Sequence, residues 1–162
     1  MRMPMFRLFA KLLPVTLFLC LLLPLQAAAQ EVERLDMHGL RGLLEENRGR
    51  VVMLNFFATW CPPCRAEIAE LSRIYAEYEK RGVTVIGLSV DEDTGKVPAF
   101  IGQMGITWPV YTVAPGVAVA YRISSIPHNA VYAKDGKLVL SEAGVADASG
   151  MREVFDELLA KE

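Results

Sequence analysis

The chain has 162 residues, 52% of them apolar, with 17 Lys or Arg against 19 Asp or Glu and a formal net charge of −2. That length suits one ordinary domain, and the apolar share argues against intrinsic disorder. A near-neutral balance speaks against nucleic-acid binding through a basic face, and three cysteines are too few for a disulfide-stapled miniprotein or a paired zinc-knuckle design.

Residues 1–30 contain Arg2, Arg7 and Lys11 and no acid. From Leu12 to Leu25 every residue except Thr16 is apolar or proline, and Gln26-Ala27-Ala28-Ala29 follows. A basic start, an apolar run and a small-residue site read as a secretory signal cut after Ala29. The run holds 14 residues, Pro14 and Pro24 among them. It is short for a membrane span, and an uncleaved N-terminal anchor is the alternative. Bulky Phe18 and Leu19 before Cys20 argue against a lipid attachment site. Residues 30–162 form the expected domain, with 14 basic against 19 acidic residues and two cysteines, Cys61 and Cys64. In an oxidising compartment such a pair is a disulfide unless something reduces it.

Val32–Leu35 alternates and reads as a short strand. Asp36 is an N-cap for a helix to about Asn47, with Leu40, Leu43 and Leu44 on one face and Gly49 as a stop. Val51–Phe57 is a near-continuous apolar run, as in a strand buried on both faces. After Ala58-Thr59-Trp60-Cys61-Pro62-Pro63-Cys64, helical spacing of Ile68, Leu71, Ile74, Tyr75 and Tyr78 predicts a helix from Pro63 to about Lys80, ended by Gly82. Val83–Val90 is a second buried strand. Asp93 or Thr94 caps a helix to about Met104, stopped by Gly105. Trp108–Tyr111 reads as a short extended piece and 115–122 as a short helix. Asn129–Ala133 is a strand, Asp135-Gly136 a hairpin turn, and Leu138 to about Glu142 the return strand. A last helix spans Asp147–Ala160, with Met151, Val154, Phe155, Leu158 and Leu159 inward. The order β-α-β-α-β-α-β-β-α predicts an α/β fold, a central mixed sheet with helices on both faces.

The Cys-Pro-Pro-Cys segment carries the chemistry. Cys61 follows a buried strand, and Cys64 lies in the first turn of a helix. Partial positive charge and unpaired N–H groups at that helix end stabilise a thiolate. The spacing lets both sulfurs reach disulfide distance. Cys61, at the exposed edge, is the expected attacking thiolate, and Cys64, one turn inside, the resolving thiol. Pro62 and Pro63 have no N–H, so the Cys61 sulfur loses two nearby donors. A less stabilised thiolate favours a reductant over a strong oxidant. The alternative for a lone CxxC is half of a metal site. That needs further ligands from His38, His128 or carboxylates, and the two histidines lack metal-site spacing. No metal or cofactor is expected.

The run Asn55–Arg65 (NFFATWCPPCR) closely resembles the active-site segment of the thioredoxin superfamily, and most of all the extracytoplasmic TlpA/ResA-type thiol–disulfide oxidoreductases. The similarity extends to Val83–Asp93, Ile106–Tyr111 and Tyr121–Val139. It implies a thioredoxin fold and a role as a reductant; a periplasmic or otherwise extracytoplasmic location follows from the signal segment, and a monomer is expected. Electrons would come from a membrane thiol transporter of the DsbD or CcdA kind and pass to disulfides of exported proteins, such as apocytochrome c haem-attachment cysteines. The resemblance also implies a cis Ile126–Pro127 bond beside the cysteines, with the Ile126 backbone pairing with substrate chain. Asn55 stands where cytoplasmic thioredoxins keep a buried Asp. By the family pattern Glu92 takes its place as acceptor of the Cys64 proton, its pKa raised by burial. Trp60, with Pro62 and Pro63, would form the docking surface. Trp108 is expected in the core, the His128 side chain directed away from the sulfurs, and Arg65 at the surface.

Some family features are missing. The N-terminal hairpin is shorter than in many relatives, no peroxiredoxin-type Pro-x-x-x-Thr-x-x-Cys occurs, and the Cys-x-x-x-Cys of copper chaperones is absent. Two other readings stay open: a disulfide oxidase or isomerase, and a copper-binding or redox-inert interaction module.

Overall fold

The computed structural model describes residues 32–161, so the signal or anchor expected at residues 1–29 lies outside the described residues. Strand β1 is Arg34–Leu35, shorter than the expected Val32–Leu35. Asp36 caps helix α1 (Met37–Glu46), its Oδ1 accepting from the Gly39 N–H at 2.8 Å. Strand β2 (Val51–Phe57) is buried at every position. Helix α2 (Pro62–Arg81) starts one residue before its expected proline and ends at Gly82, whose φ of +105° no side chain tolerates easily. Strand β3 (Val83–Ser89) pairs in parallel with β2 along its whole length, and α2 is the crossover that parallel pairing requires.

Beyond β3 the chain departs from the expected order. Asp93 does cap, but what it caps is a 3₁₀ turn (Thr94–Lys96) that runs into helix α3 (Val97–Met104). The piece read as a short extension at Trp108–Tyr111 is a true strand, β4 (Val110–Val113). It is paired in parallel with β3 on one side and β1 on the other. Helix α4 (Pro115–Ala120) follows. The order therefore gains a strand and a helix. Val110–Val113 shows no alternation in burial, and it is pairing on both edges that makes these residues a strand.

Strands β5 (His128–Tyr132) and β6 (Leu138–Ala143) form the expected hairpin, with Gly136 at φ +76° in the turn. Asp147 caps the last helix, α5 (Ala148–Ala160). The sheet order is β1-β4-β3-β2-β5-β6, with β5 antiparallel to both neighbours. Alternation along β2 feeds two cores. Val51, Met53 and Phe57 pack with α2, α3 and α5, and Trp108 joins them edge-on to Tyr75. Val52, Leu54 and Phe56 pack with Leu40 of α1 and Val117 of α4. This is the expected mixed sheet with helices on both faces. Its consequence for the site is positional: β2 is central, and its register places His128 opposite Phe56. The C-terminal end of β2 and the segment entering β5 therefore meet at one edge of the sheet.

Candidate active site

The chain leaves β2 and turns through Ala58–Cys61, the turn closed by the Cys61 N–H donating to the Ala58 carbonyl at 3.1 Å. Cys61 is the N-cap of α2, with prolines at its first positions. Cys61 and Cys64 are joined as a disulfide, their Cα atoms 5.3 Å apart. The Cys64 N–H donates to Cys61 Sγ at 3.2 Å. That amide is the first one after the two prolines, so one main-chain donor survives where two are lost. The helix N-terminus adds its partial positive charge at the same sulfur.

The expected exposure of Cys61 is not met. Cys61 is 3% exposed and Cys64 fully buried. The Ile126–Pro127 bond is cis, and the Ile126 carbonyl oxygen lies 3.8 Å from Cys61 Sγ. Ile126 is half-buried and Pro127 buried. The exposed rim consists of Pro62, Pro63 and Trp60. Trp60, at 69% exposed, leaves its indole in solvent rather than in the core.

One helical turn along α2 from Cys64, Glu67 enters a buried polar network. Asn55, on β2, donates through Nδ2 to Glu67 Oε2 at 2.7 Å and to Asn129 Oδ1 at 2.8 Å. Glu67 Oε1 accepts from Asn129 Nδ2 at 2.7 Å and from the Ala146 N–H at 2.8 Å. Glu67 is fully buried, one helical turn after Cys64. Side chains three apart on a helix have Cβ atoms about 5–6 Å apart. Burial pushes the Glu67 carboxyl above its ordinary value, and the bonds from Ala146, Asn129 and Asn55 pull it partly back.

Glu92 stands elsewhere. It is exposed in the loop after β3, lining a groove with Trp60, Asp93 and Lys96. The burial expected to raise its pKa is absent. Its neighbour Asp91 is buried instead, accepting from the Thr59 N–H at 2.9 Å, the Thr59 hydroxyl at 2.7 Å and the Ser89 hydroxyl at 2.8 Å. His128 is buried with Nε2 3.0 Å from Ser141 Oγ and its ring edge-on to Phe56. It faces the α1–α4 side, away from the sulfurs, and burial lowers its pKa. Arg65 is exposed yet engaged: Nη2 donates to the Thr59 carbonyl at 2.8 Å, and the guanidinium lies 4.8 Å from the Phe100 ring centre. Among the described residues no group of three or more His, Cys, Asp or Glu is placed to hold a metal ion, and His38 is exposed on α1.

Sequence reasoning missed Glu67. The available signal was its position. Cys64, Glu67, Ile68, Leu71, Ile74, Tyr75 and Tyr78 form one buried stripe, and residue 67 falls inside it.

Residues 25–141 match the AhpC/TSA family. The chain belongs to that family. It is 34% identical over 106 residues to thiol-disulfide oxidoreductase ResA of Bacillus thuringiensis (strain Al Hakam), covering 64% of this chain but only 61% of that protein. A ResA of Bacillus thuringiensis subsp. konkukian is 31% identical over 127 residues, with 78% of this chain and 71% of that protein covered. A crystal structure of a thiol:disulfide interchange protein of the thioredoxin family, from Chlorobium tepidum, superposes with a TM-score of 0.67 at 28% identity. It covers 72% of this chain and 84% of that one. The fold is the thioredoxin fold. Within the AhpC/TSA family this chain carries the Cys-x-x-Cys pair and lacks the Pro-x-x-x-Thr-x-x-Cys arrangement of peroxide chemistry.

Proposed function

We propose that the chain is an extracytoplasmic protein-disulfide oxidoreductase working as a reductant, with a Cys61/Cys64 dithiol–disulfide cycle. One observation carries this reading: the disulfide caps a helix while a buried carboxylate waits one turn inside it. In the reduced chain the Cys61 thiolate attacks one sulfur of a substrate disulfide. A mixed disulfide forms, and the other substrate sulfur leaves and takes a proton. The Cys64 thiol then gives its proton to Glu67, whose burial makes its carboxylate a stronger base than an ordinary one. The Cys64 thiolate attacks Cys61 Sγ and closes the disulfide. The second substrate sulfur leaves as a thiolate and is protonated. The substrate has gained two electrons and two protons, and an external dithiol must restore the enzyme.

In this scheme Glu67 takes the role expected of Glu92. Trp60, Pro62 and Pro63 form the docking rim, and the Ile126 backbone meets the substrate chain in strand fashion. The proline pair supports the reducing direction, because it leaves the Cys61 thiolate a single main-chain donor and so makes the disulfide the relatively favoured form. Export by the segment at residues 1–29, a DsbD- or CcdA-like electron donor and apocytochrome c as a substrate rest on the family resemblance. Trapping with Cys64→Ala tests the reading. Cys61 should then hold exported cysteine proteins as mixed disulfides, identified by mass spectrometry. Failure to capture any, together with no reduction of insulin disulfides by the native chain, would overturn it.

A further inference from the structure

The turn that delivers Cys61 is held from outside the cysteine motif. Thr59 is its second residue, and all three of its polar groups are engaged. Its N–H and hydroxyl both donate to the Asp91 carboxylate, and its carbonyl accepts from Arg65 Nη2. Thr59 is 7% and Asp91 8% exposed, so these bonds are shielded from water. The carboxylate is itself fixed, because the Ser89 hydroxyl donates to it and accepts from the Asp91 N–H at 3.2 Å. The Val90 N–H donates to the Phe57 carbonyl at 2.9 Å, which carries the β2–β3 pairing past the last strand residues and sets Asp91 against the turn.

We propose that Asp91 is a positioning residue that, through Thr59, holds the Ala58–Cys61 turn so that the Cys61 sulfur stays at the start of α2. Two features that favour the thiolate depend on that placement: the Cys64 N–H directed at Sγ, and the positive end of the helix. An unlatched turn lets Cys61 drift from both. Ser89 and Asp91 thus extend the site to the end of β3, in a loop whose exposed acid, Glu92, makes no such bond in the structure. The inference rests on the proposed role of Cys61 as the nucleophile, but its test needs no protein substrate.

The test is the pH profile of Cys61 alkylation in the reduced full chain, read by mass spectrometry of the Cys61 peptide. Asp91→Ala should slow alkylation at neutral pH about tenfold, the loss expected if the thiol becomes about ten times less acidic. The profile's midpoint should move toward that of a free cysteine, about 8.5. Thr59→Val keeps the backbone bond and loses the hydroxyl bond, so a smaller change in the same direction is expected. It carries the test if Asp91→Ala does not fold. A folded Asp91→Ala chain with the native rate and midpoint overturns the proposal, as does an unchanged Thr59→Val profile where that variant carries the test. If the native chain reduces no protein disulfide while Asp91→Ala still moves the profile, the reductase reading fails and the positioning role stands.

Discussion

The loop after β3 and the second turn of α2 each carry a glutamate at the cysteine end of the sheet, and the fold treats them in opposite ways. Glu92 stands in solvent beside Trp60. Glu67 lies one helical turn after Cys64 with no exposed surface and three donors on its two oxygens. A proton acceptor for a buried thiol needs to be close to it and basic enough, and burial raises the basicity of a carboxylate. Glu92 is exposed in its loop, with Asp91 and Asp93 beside it. In the positioning role proposed above, the loop contributes through Asp91, whose carboxylate accepts from both the Thr59 N–H and its hydroxyl.

Four measurements put this contrast at risk. The largest effect is expected at the sulfur itself: Cys61→Ser should reduce insulin-disulfide turnover to background. Glu67→Gln should slow closure of the mixed disulfide about 100-fold, the size of a lost general base. In stopped-flow experiments it should also remove the carboxylate limb of the pH profile. An unchanged rate there would return the role to another group.

The third measurement is equilibrium stability. Burial raises the pKa of Glu67 above its ordinary 4.5, so the folded chain holds that proton more tightly than the unfolded one. The resulting stabilisation is complete below 4.5 and is lost as pH rises through the folded value. Denaturant titrations of the oxidised protein should therefore show a loss on going from acid to neutral pH, about 1.4 kcal/mol for each tenfold gain in the carboxylate's proton affinity on folding. Glu67→Gln should lack that component. The smallest effect belongs to Glu92→Gln, which as a surface change should alter turnover by no more than about twofold. A drop as large as that of Glu67→Gln would reverse the assignment.

What the sequence discloses here follows from how strongly each element is specified. Val51–Phe57 and Val83–Ser89 are legible because a strand buried on both faces must be apolar throughout. Helix α2 is legible from its stripe and from Gly82, and α5 from Asp147 and Phe155. Strand β4 reads as a mere fragment, because Val110–Val113 owes its conformation to neighbours far away in the chain rather than to its own pattern. The Cys-Pro-Pro-Cys pair is readable from spacing alone. Its surroundings are not: a glutamate in a helix ordinarily faces water, and only amide partners from β2, β5 and the segment before α5 make the buried position of Glu67 tenable. Asp91 is hidden for the same reason, since its partner Thr59 lies 32 positions earlier.

Pro62 and Pro63 have a further effect on how this chain can be studied. They silence two amides, and the hydrogen bond to the Cys61 sulfur falls to the backbone of residue 64. A main-chain donor survives every side-chain replacement at that position except proline. Cys64→Ala thus deletes the sulfur proposed to resolve the mixed disulfide while leaving intact the N–H that faces Cys61 Sγ. Proteins caught on such a hook meet a Cys61 sulfur that keeps its main-chain donor from residue 64.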